Sequence, residues 1–412
     1  MEYYEPMLYI CTPEYPNTMG MIAVLKEPVD GKILREVVEE LRQRFPYYYV
    51  QEKQEGTELI TAVNPRPMTV REGWGPINLC SEEANYHLAA FKYDGRRLCF
   101  EVLHSITDGA GALPYMKSVL YLYLSRKSGH TFDPSGFRLP GEEIPESEIG
   151  DPFAGIDIDG ADAPVYQPET VADFYRLSDG TDTQRHIFYV KLPEEQVIRY
   201  CKDNDGSPNI LLSVLLAKAI RRYDPESDKT VSVSVAVNHK AVLGNHDNYR
   251  MFANVAELSF KKDRDLSDLS KACTGARGQL ILQTQPENSI RVLKTRKAIC
   301  EKLSQAPLEI KFGMVAKAAA TPRWSVSVSY ADNRSFGPLD PYIDEFYMLA
   351  SPGTTDVICE VACLNHSFFL SFIQVFSSDK FFRIFLEELA DAGIPFEVTG
   401  SDSFQFCGIE RG

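Results

Sequence analysis

The chain has 412 residues, 44% of them hydrophobic and 25% charged, which suits two lobes with buried cores and excludes a disordered chain. Its formal net charge of −15 excludes the general pull on nucleic acid or anionic membrane that a basic surface exerts. The nine cysteines form no Cys-x-x-Cys pair and no Cys/His cluster, which excludes a zinc framework and fits buried thiols in a reducing compartment.

The opening residues, Met1 to Pro6, hold neither a basic nor an apolar block of the kind a secretory leader needs. No apolar run reaches eighteen residues, so no membrane span is predicted and a cytoplasmic location is expected. A strand is signalled over Met19–Leu25, then a helix from about Asp30 to Arg44 with Leu34, Val37, Val38 and Leu41 on one face. Strand patterns follow at Tyr47–Gln51, Leu59–Val63, His87–Tyr93 and Leu98–His104, with Asp94-Gly95 as a hairpin turn between the last two. A helix is predicted from Gly109 to about Ser125. The stretch 141–182 is acidic, rich in Pro and Gly and without periodicity, so it reads as a surface connection between lobes or a cover over a site between them. This predicts an amino-terminal lobe over 1–140, a connection over 141–185 and a carboxy-terminal lobe over 186–412. In that last part strands are predicted at His186–Lys191, Thr230–Val237, Trp324–Tyr330, Asp356–Cys363 and Phe368–Val375. Helices are predicted near Pro193 and over Asn209–Tyr223, Leu266–Leu282, Asn288–Leu303 and Asp379–Ala392. The fold class is therefore α/β, a mixed sheet with flanking helices in each lobe.

One segment carries chemistry. In the strand ending at His104, Leu98, Phe100 and Val102 alternate with it on one side, so the imidazole is expected to point inward at the strand's end. The sequence continues Ser105-Ile106-Thr107-Asp108-Gly109, and Gly109 and Gly111 permit a tight turn and close backbone approach. A half-buried His at a strand-to-helix junction is placed to take a proton, and Asp108 to cap the helix and pair with a cation. A His on an apolar face is equally a hydrogen-bonded core residue, and an Asp before a helix equally a plain cap. The remaining six His residues have no partner pattern.

The hexad His104 to Gly109, an HxxxDG pattern, resembles the signature of the CoA-dependent acyltransferase superfamily, which includes chloramphenicol acetyltransferase and peptide-synthetase condensation domains. Other segments in family order resemble it too: Arg44-Phe45-Pro46-Tyr47, Ser207-Pro208-Asn209-Ile210, Val235-Ala236-Val237-Asn238, Phe252-Ala253-Asn254, and Ser327-Val328-Ser329-Tyr330 through Phe336-Gly337. Leu103 stands where condensation domains have a first His, and Ser329-Tyr330 where the family has Ser-Asn. By texture the likeness is nearest to the bacterial alcohol O-acetyltransferase-like branch.

The resemblance implies a two-lobed chloramphenicol-acetyltransferase-like fold with the active site in a tunnel between lobes. It implies an acyltransferase, with His104 as general base and acyl-CoA as co-substrate, acting on a hydroxyl or amine of a small acceptor. No permanently bound cofactor or metal is implied. Asp108 would hold the turn by pairing with Arg44, Gly109 would let the donor approach, and Ser329 is the first candidate to meet the oxyanion. Tyr330 and Asn333 would contact substrate, and Lys261, Lys262, Lys317 and Arg323 are candidates for CoA phosphates. A condensation-type enzyme using a carrier-protein thioester, and a catalytically silent binding module, are the alternatives.

Overall fold

A computed structural model describes residues 6–13, 15–151, 166, 168, 171–182, 184–240, 244, 246–331, 335–403 and 406–409. In chain order its strands and helices are β1 (Thr18–Leu25), α1 (Gly31–Glu40), β2 (Val50–Glu55), β3 (Glu58–Val63), β4 (Val70–Glu72), β5 (Ala89–Asp94), β6 (Arg97–Leu103), α2 (Gly109–Ser128), α3 (Glu146–Ile149), β7 (His186–Pro193), α4 (Glu194–Asp203), α5 (Pro208–Tyr223), β8 (Val231–Asn238) and β9 (Ala253–Phe260). They continue with α6 (Leu269–Gln283), α7 (Pro286–Ser304), α8 (Leu308–Ala320), β10 (Trp324–Ala331), β11 (Ile343–Ala350), β12 (Thr355–Leu364), β13 (Ser367–Gln374), α9 (Lys380–Asp391) and β14 (Glu397–Ser403).

The predicted helix after Asp30 forms because Asp30 caps it, accepting from the amides of Lys32 and Ile33 at 2.9 and 3.1 Å, while Leu34, Val37 and Val38 are buried. The strand expected at Tyr47–Gln51 begins only at Val50. Pro46 to Tyr48 form a turn of 3-10 helix instead, because Pro46 fixes its φ and the hydroxyls of Tyr48 and Tyr49 are engaged in α2, with Gly111 O and Tyr115.

Two principal sheets result. The first has the order β11-β1-β6-β5-β4 and the second β14-β7-β13-β12-β10-β8-β9. Strand β11, which the sequence places in the carboxy-terminal lobe, pairs antiparallel with β1, Met19 opposite Ala350. The amino-terminal sheet is thus completed by residues from the far end of the chain. Alternation along the second sheet sorts its side chains between two cores. Val357, Cys359, Val361, Phe368 and Phe372 pack with α5 and α9 residues such as Leu215 and Phe385, while Ile358, Ala362, Phe369 and Ile373 join the core of the first sheet. The lobes therefore meet through a continuous apolar interior over most of their contact.

The nine cysteines are all free thiols. Among the described residues no helix is long and apolar enough to cross a membrane. Most of 152–170 lies outside the described residues, but the flanks of the expected connection are tied down. Asn248 and Arg250 donate to the carbonyls of Ser147, Ile149 and Gly150, and Asp356 accepts from Arg176 and the amides of Leu177 and Ser178.

Candidate active site

A cleft of about 320 Å³ lies between the two sheets, and His104, Asp108 and Gly109 form part of its wall. His104 is the first residue beyond β6 and is half-buried. Its backbone amide is held by Asn17 O at 2.7 Å. Its ring Nδ1 lies 2.9 Å from Thr107 O. A carbonyl only accepts, so Nδ1 carries the hydrogen and the neutral ring keeps its lone pair on Nε2. Among the described residues Nε2 has no hydrogen-bond partner, and the ring borders open space.

Asp108 ends the turn as the cap of α2, one oxygen accepting from the Gly111 amide at 2.8 Å. That same oxygen takes Lys240 Nζ at 2.7 Å, and the other accepts from the Phe252 amide at 2.9 Å. Lys240 and Phe252 flank the connection between β8 and β9, so a carboxylate in the first lobe is satisfied by the second. Thr107 makes a parallel tie, its hydroxyl donating to Tyr249 O at 2.7 Å. The expected pairing of Asp108 with Arg44 is not what forms. Arg44 instead forks onto Glu148 at 2.7 and 2.9 Å, and Arg138 adds to the same carboxylate. Lys240 takes Asp108, and Arg44 is held by Glu148 of α3. Burial pushes the Glu148 carboxyl up, but the Arg44 fork, the Tyr47 hydroxyl and Arg138 together hold it below the usual carboxylate range.

The two glycines have different duties. A Cβ on Gly111 would stand 2.1 Å from Tyr249 O and 2.6 Å from Thr107 Oγ1, so that position requires a bare backbone. A Cβ on Gly109 would meet only the Met348 thioether tip at 3.1 Å, at the cleft wall.

The opposite wall is the face of the second sheet turned toward the first. Val326 and Val328 of β10 sit in the α5 core and Tyr330 packs against it, its ring 5.9 Å from Phe368. The alternate residues Ser327 and Ser329 therefore face the cleft side. Ser327 hydrogen-bonds Ser234 of β8. Ser329 is half-buried, borders the cleft and has no hydrogen-bond partner among the described residues. It lies in register with Glu360 of β12, whose carboxylate also borders the cleft. Of the predicted substrate contacts, Tyr330 borders the cleft while its ring also packs against the α5 core, and Asn333 lies outside the described residues. None of Lys261, Lys262, Lys317 and Arg323 borders this cleft; Lys262 is bound to the carbonyls of Pro225 and Ser227. The remaining walls are apolar, with Met7, Met19, Met251, Met348, Leu349 and Ile358 prominent.

Lys240, Ser234, Ser327 and Glu360 are site residues that sequence reasoning did not single out. The first follows Asn238 by two residues in a segment already noted. The other three sit at alternate, inward positions of predicted strands, where polar residues among valines were the available signal.

No protein-family model matches the sequence, and no curated protein sequence matches it. Solved structures match over nearly the full length. The trichothecene 15-O-acetyltransferase of Fusarium sporotrichioides superposes with a TM-score of 0.63 at 10% identity, over 95% of this chain and 94% of that one. A second protein of F. sporotrichioides, solved with coenzyme A and T-2, gives 0.58 at 12% identity, over 96% and 98%. The first condensation domain of the calcium-dependent antibiotic synthetase, solved with a substrate analogue, gives 0.60 at 12% identity, over 93% and 94%. The chain has the two-lobed α/β fold shared by CoA-dependent acyltransferases and condensation domains.

Proposed function

We propose that this chain, built on that fold, is an acyltransferase that moves an acyl group from acyl-CoA to a hydroxyl or amine of a small acceptor. The observation that carries the reading is the state of His104. Its Nδ1–H is committed to Thr107 O, and its Nε2 lone pair has open cleft before it. Such a nitrogen accepts the proton of a hydroxyl as the oxygen attacks a thioester carbonyl. The tetrahedral oxyanion so formed meets the Ser329 hydroxyl on the facing sheet. Collapse expels the thiolate of CoA, which takes the proton back from His104 Nε2. Asp108 does not touch substrate; through Lys240 and Phe252 N it holds the turn against the second lobe. The thioester is already activated, so positioning and proton transfer supply the acceleration.

The test is thiol release from acetyl-CoA with a panel of alcohols and amines. His104→Ala should lower turnover by about 100-fold or more while the protein stays folded. Ser329→Ala should lower kcat by about 10- to 100-fold with little change in KM. Wild-type turnover in His104→Ala would refute the assignment. Consumption of an acylated carrier protein but not acyl-CoA would instead favour the condensation-type reaction.

A further inference from the structure

A second cleft, of about 290 Å³, is lined by Tyr15, Arg176, Arg185, Asp182 and the stretch Pro352–Asp356. It shares a wall with the first, since Ala350 and Ser351 border the His104 cleft and Pro352 and Gly353 border this one. The charges inside are not equally satisfied. Asp356 is forked by Arg176 and accepts two backbone amides. Asp182 accepts the amide and hydroxyl of Ser377 and the amide of Gln184. The Arg185 guanidinium, half-buried, has no hydrogen bond and no ion pair among the described residues. Burial lowers its pKa. The Tyr15 hydroxyl in the same cleft is likewise without a partner among the described residues.

An unpaired guanidinium at the wall of a cleft keeps its five donors free for a ligand. Its planar fork matches the oxygens of a phosphate. We infer that this cleft is a phosphate seat, in which Arg185, with the Tyr15 hydroxyl, takes a phosphate group at the distal end of the thioester donor. The assignment to the donor rests on the acyl-transfer reading above. From Glu360, beside Ser329, to Asp356 is four residues of β12, about 13 Å of strand. That places the seat at a remove from the reacting carbonyl, on the scale of a pantetheine arm. Asp356 is balanced by Arg176, whereas Asp182 is held by neutral donors alone and keeps a charge that the Arg185 fork has to outweigh.

Two measurements test this. Calorimetric titration of the full chain with adenosine 3′,5′-bisphosphate, and separately with inorganic phosphate, needs no catalysis. The bisphosphate should bind, and Arg185→Gln should weaken it by about tenfold or more, the loss of a charge-assisted fork. Equal affinity in both proteins would overturn the seat. Where transfer is active, the preference for acetyl-CoA over acetyl N-acetylcysteamine, a thioester without phosphate, should fall by a similar factor in Arg185→Gln. An unchanged preference would overturn the donor assignment, as would Arg185-dependent binding of inorganic phosphate without the bisphosphate. A chain inactive on every acceptor would defeat the acyl-transfer reading but leave the titration to judge the seat. Arg185→Met is the second variant if the Gln form does not fold, with the same two outcomes.

Discussion

At the scale of single residues, the tightest constraint is the turn from His104 to Gly111. Gly111→Ala should destabilise the protein by roughly 2–3 kcal/mol, because Tyr249 O cannot yield without moving a backbone that also receives the Thr107 hydroxyl. Gly109→Ala should cost far less, since a methionine tip can turn away. Urea unfolding of the two variants side by side checks the order. The partner of Asp108 is equally testable. Lys240→Met leaves a buried carboxylate short of its cation and should cost about 3–5 kcal/mol. A double-mutant cycle of Asp108→Asn with Lys240→Met should show strong coupling, and one with Arg44→Met less than about 0.5 kcal/mol. His104 and Asp108 were legible in the sequence because a strand pattern runs straight into them. Lys240 was not, because it lies 132 residues away and nothing local marks a lysine as buried.

At the scale of elements, the strands and helices made of mostly apolar runs were readable, among them β1, β6, α5 and β13. Three of the strands missed carry polar residues that hide their pattern. In β11, Asp344 and Glu345 interrupt the apolar run; β14 is polar nearly throughout; and β9 is an edge strand that carries Glu257. β11 and β14 are held by pairing with strands far away in the chain, β1 and β7, more than by their own composition. The β9 edge also shows how such a strand is kept from pairing further. Gln283 of α6 accepts from the Glu257 amide at 2.9 Å and donates to its carbonyl at 2.7 Å. Gln279 does the same for Ser259 at 2.9 and 3.3 Å. Four helix residues advance about 6 Å and two strand residues about 7 Å, so two glutamines four apart match two outward peptide groups. Their amides stand in for a further strand and close the edge. Gln279→Ala with Gln283→Ala should leave the monomer folded but raise its tendency to self-associate. Light scattering during incubation at high concentration checks this, and a double variant as soluble as wild type would show that the helix alone suffices.

At the scale of the molecule, the connection between β8 and β9 joins the lobes, and it carries a built-in acid sensitivity. His239, beside Lys240, is buried with its Nδ1 unsatisfied. Burial, and secondarily Arg296, lower its pKa to about 4. The unfolded chain takes up a proton near pH 6.5 that the folded one refuses until about pH 4. Stability therefore falls as pH drops through that interval, by on the order of 3 kcal/mol. Glu148, held low by its cations, contributes stability that is lost only at still lower pH, as the folded carboxyl finally protonates. Chemical unfolding of His239→Gln between pH 7 and pH 4.5 should thus show a flatter profile than wild type. An identical slope would assign the acid sensitivity elsewhere.

The pairing of β1 with β11 has a consequence for how the protein comes into being. Thr18 N binds Ser351 Oγ across 333 residues of chain, and β1 has β11 on one side and β6 on the other. During synthesis the first lobe therefore leaves the ribosome with one flank of β1 bare, and it stays so until most of the polypeptide has been made. A bare strand edge of this kind is the surface that chaperones cover during synthesis. A translation pause between residues 186 and 343 would lengthen the exposure without touching a single residue of the finished fold.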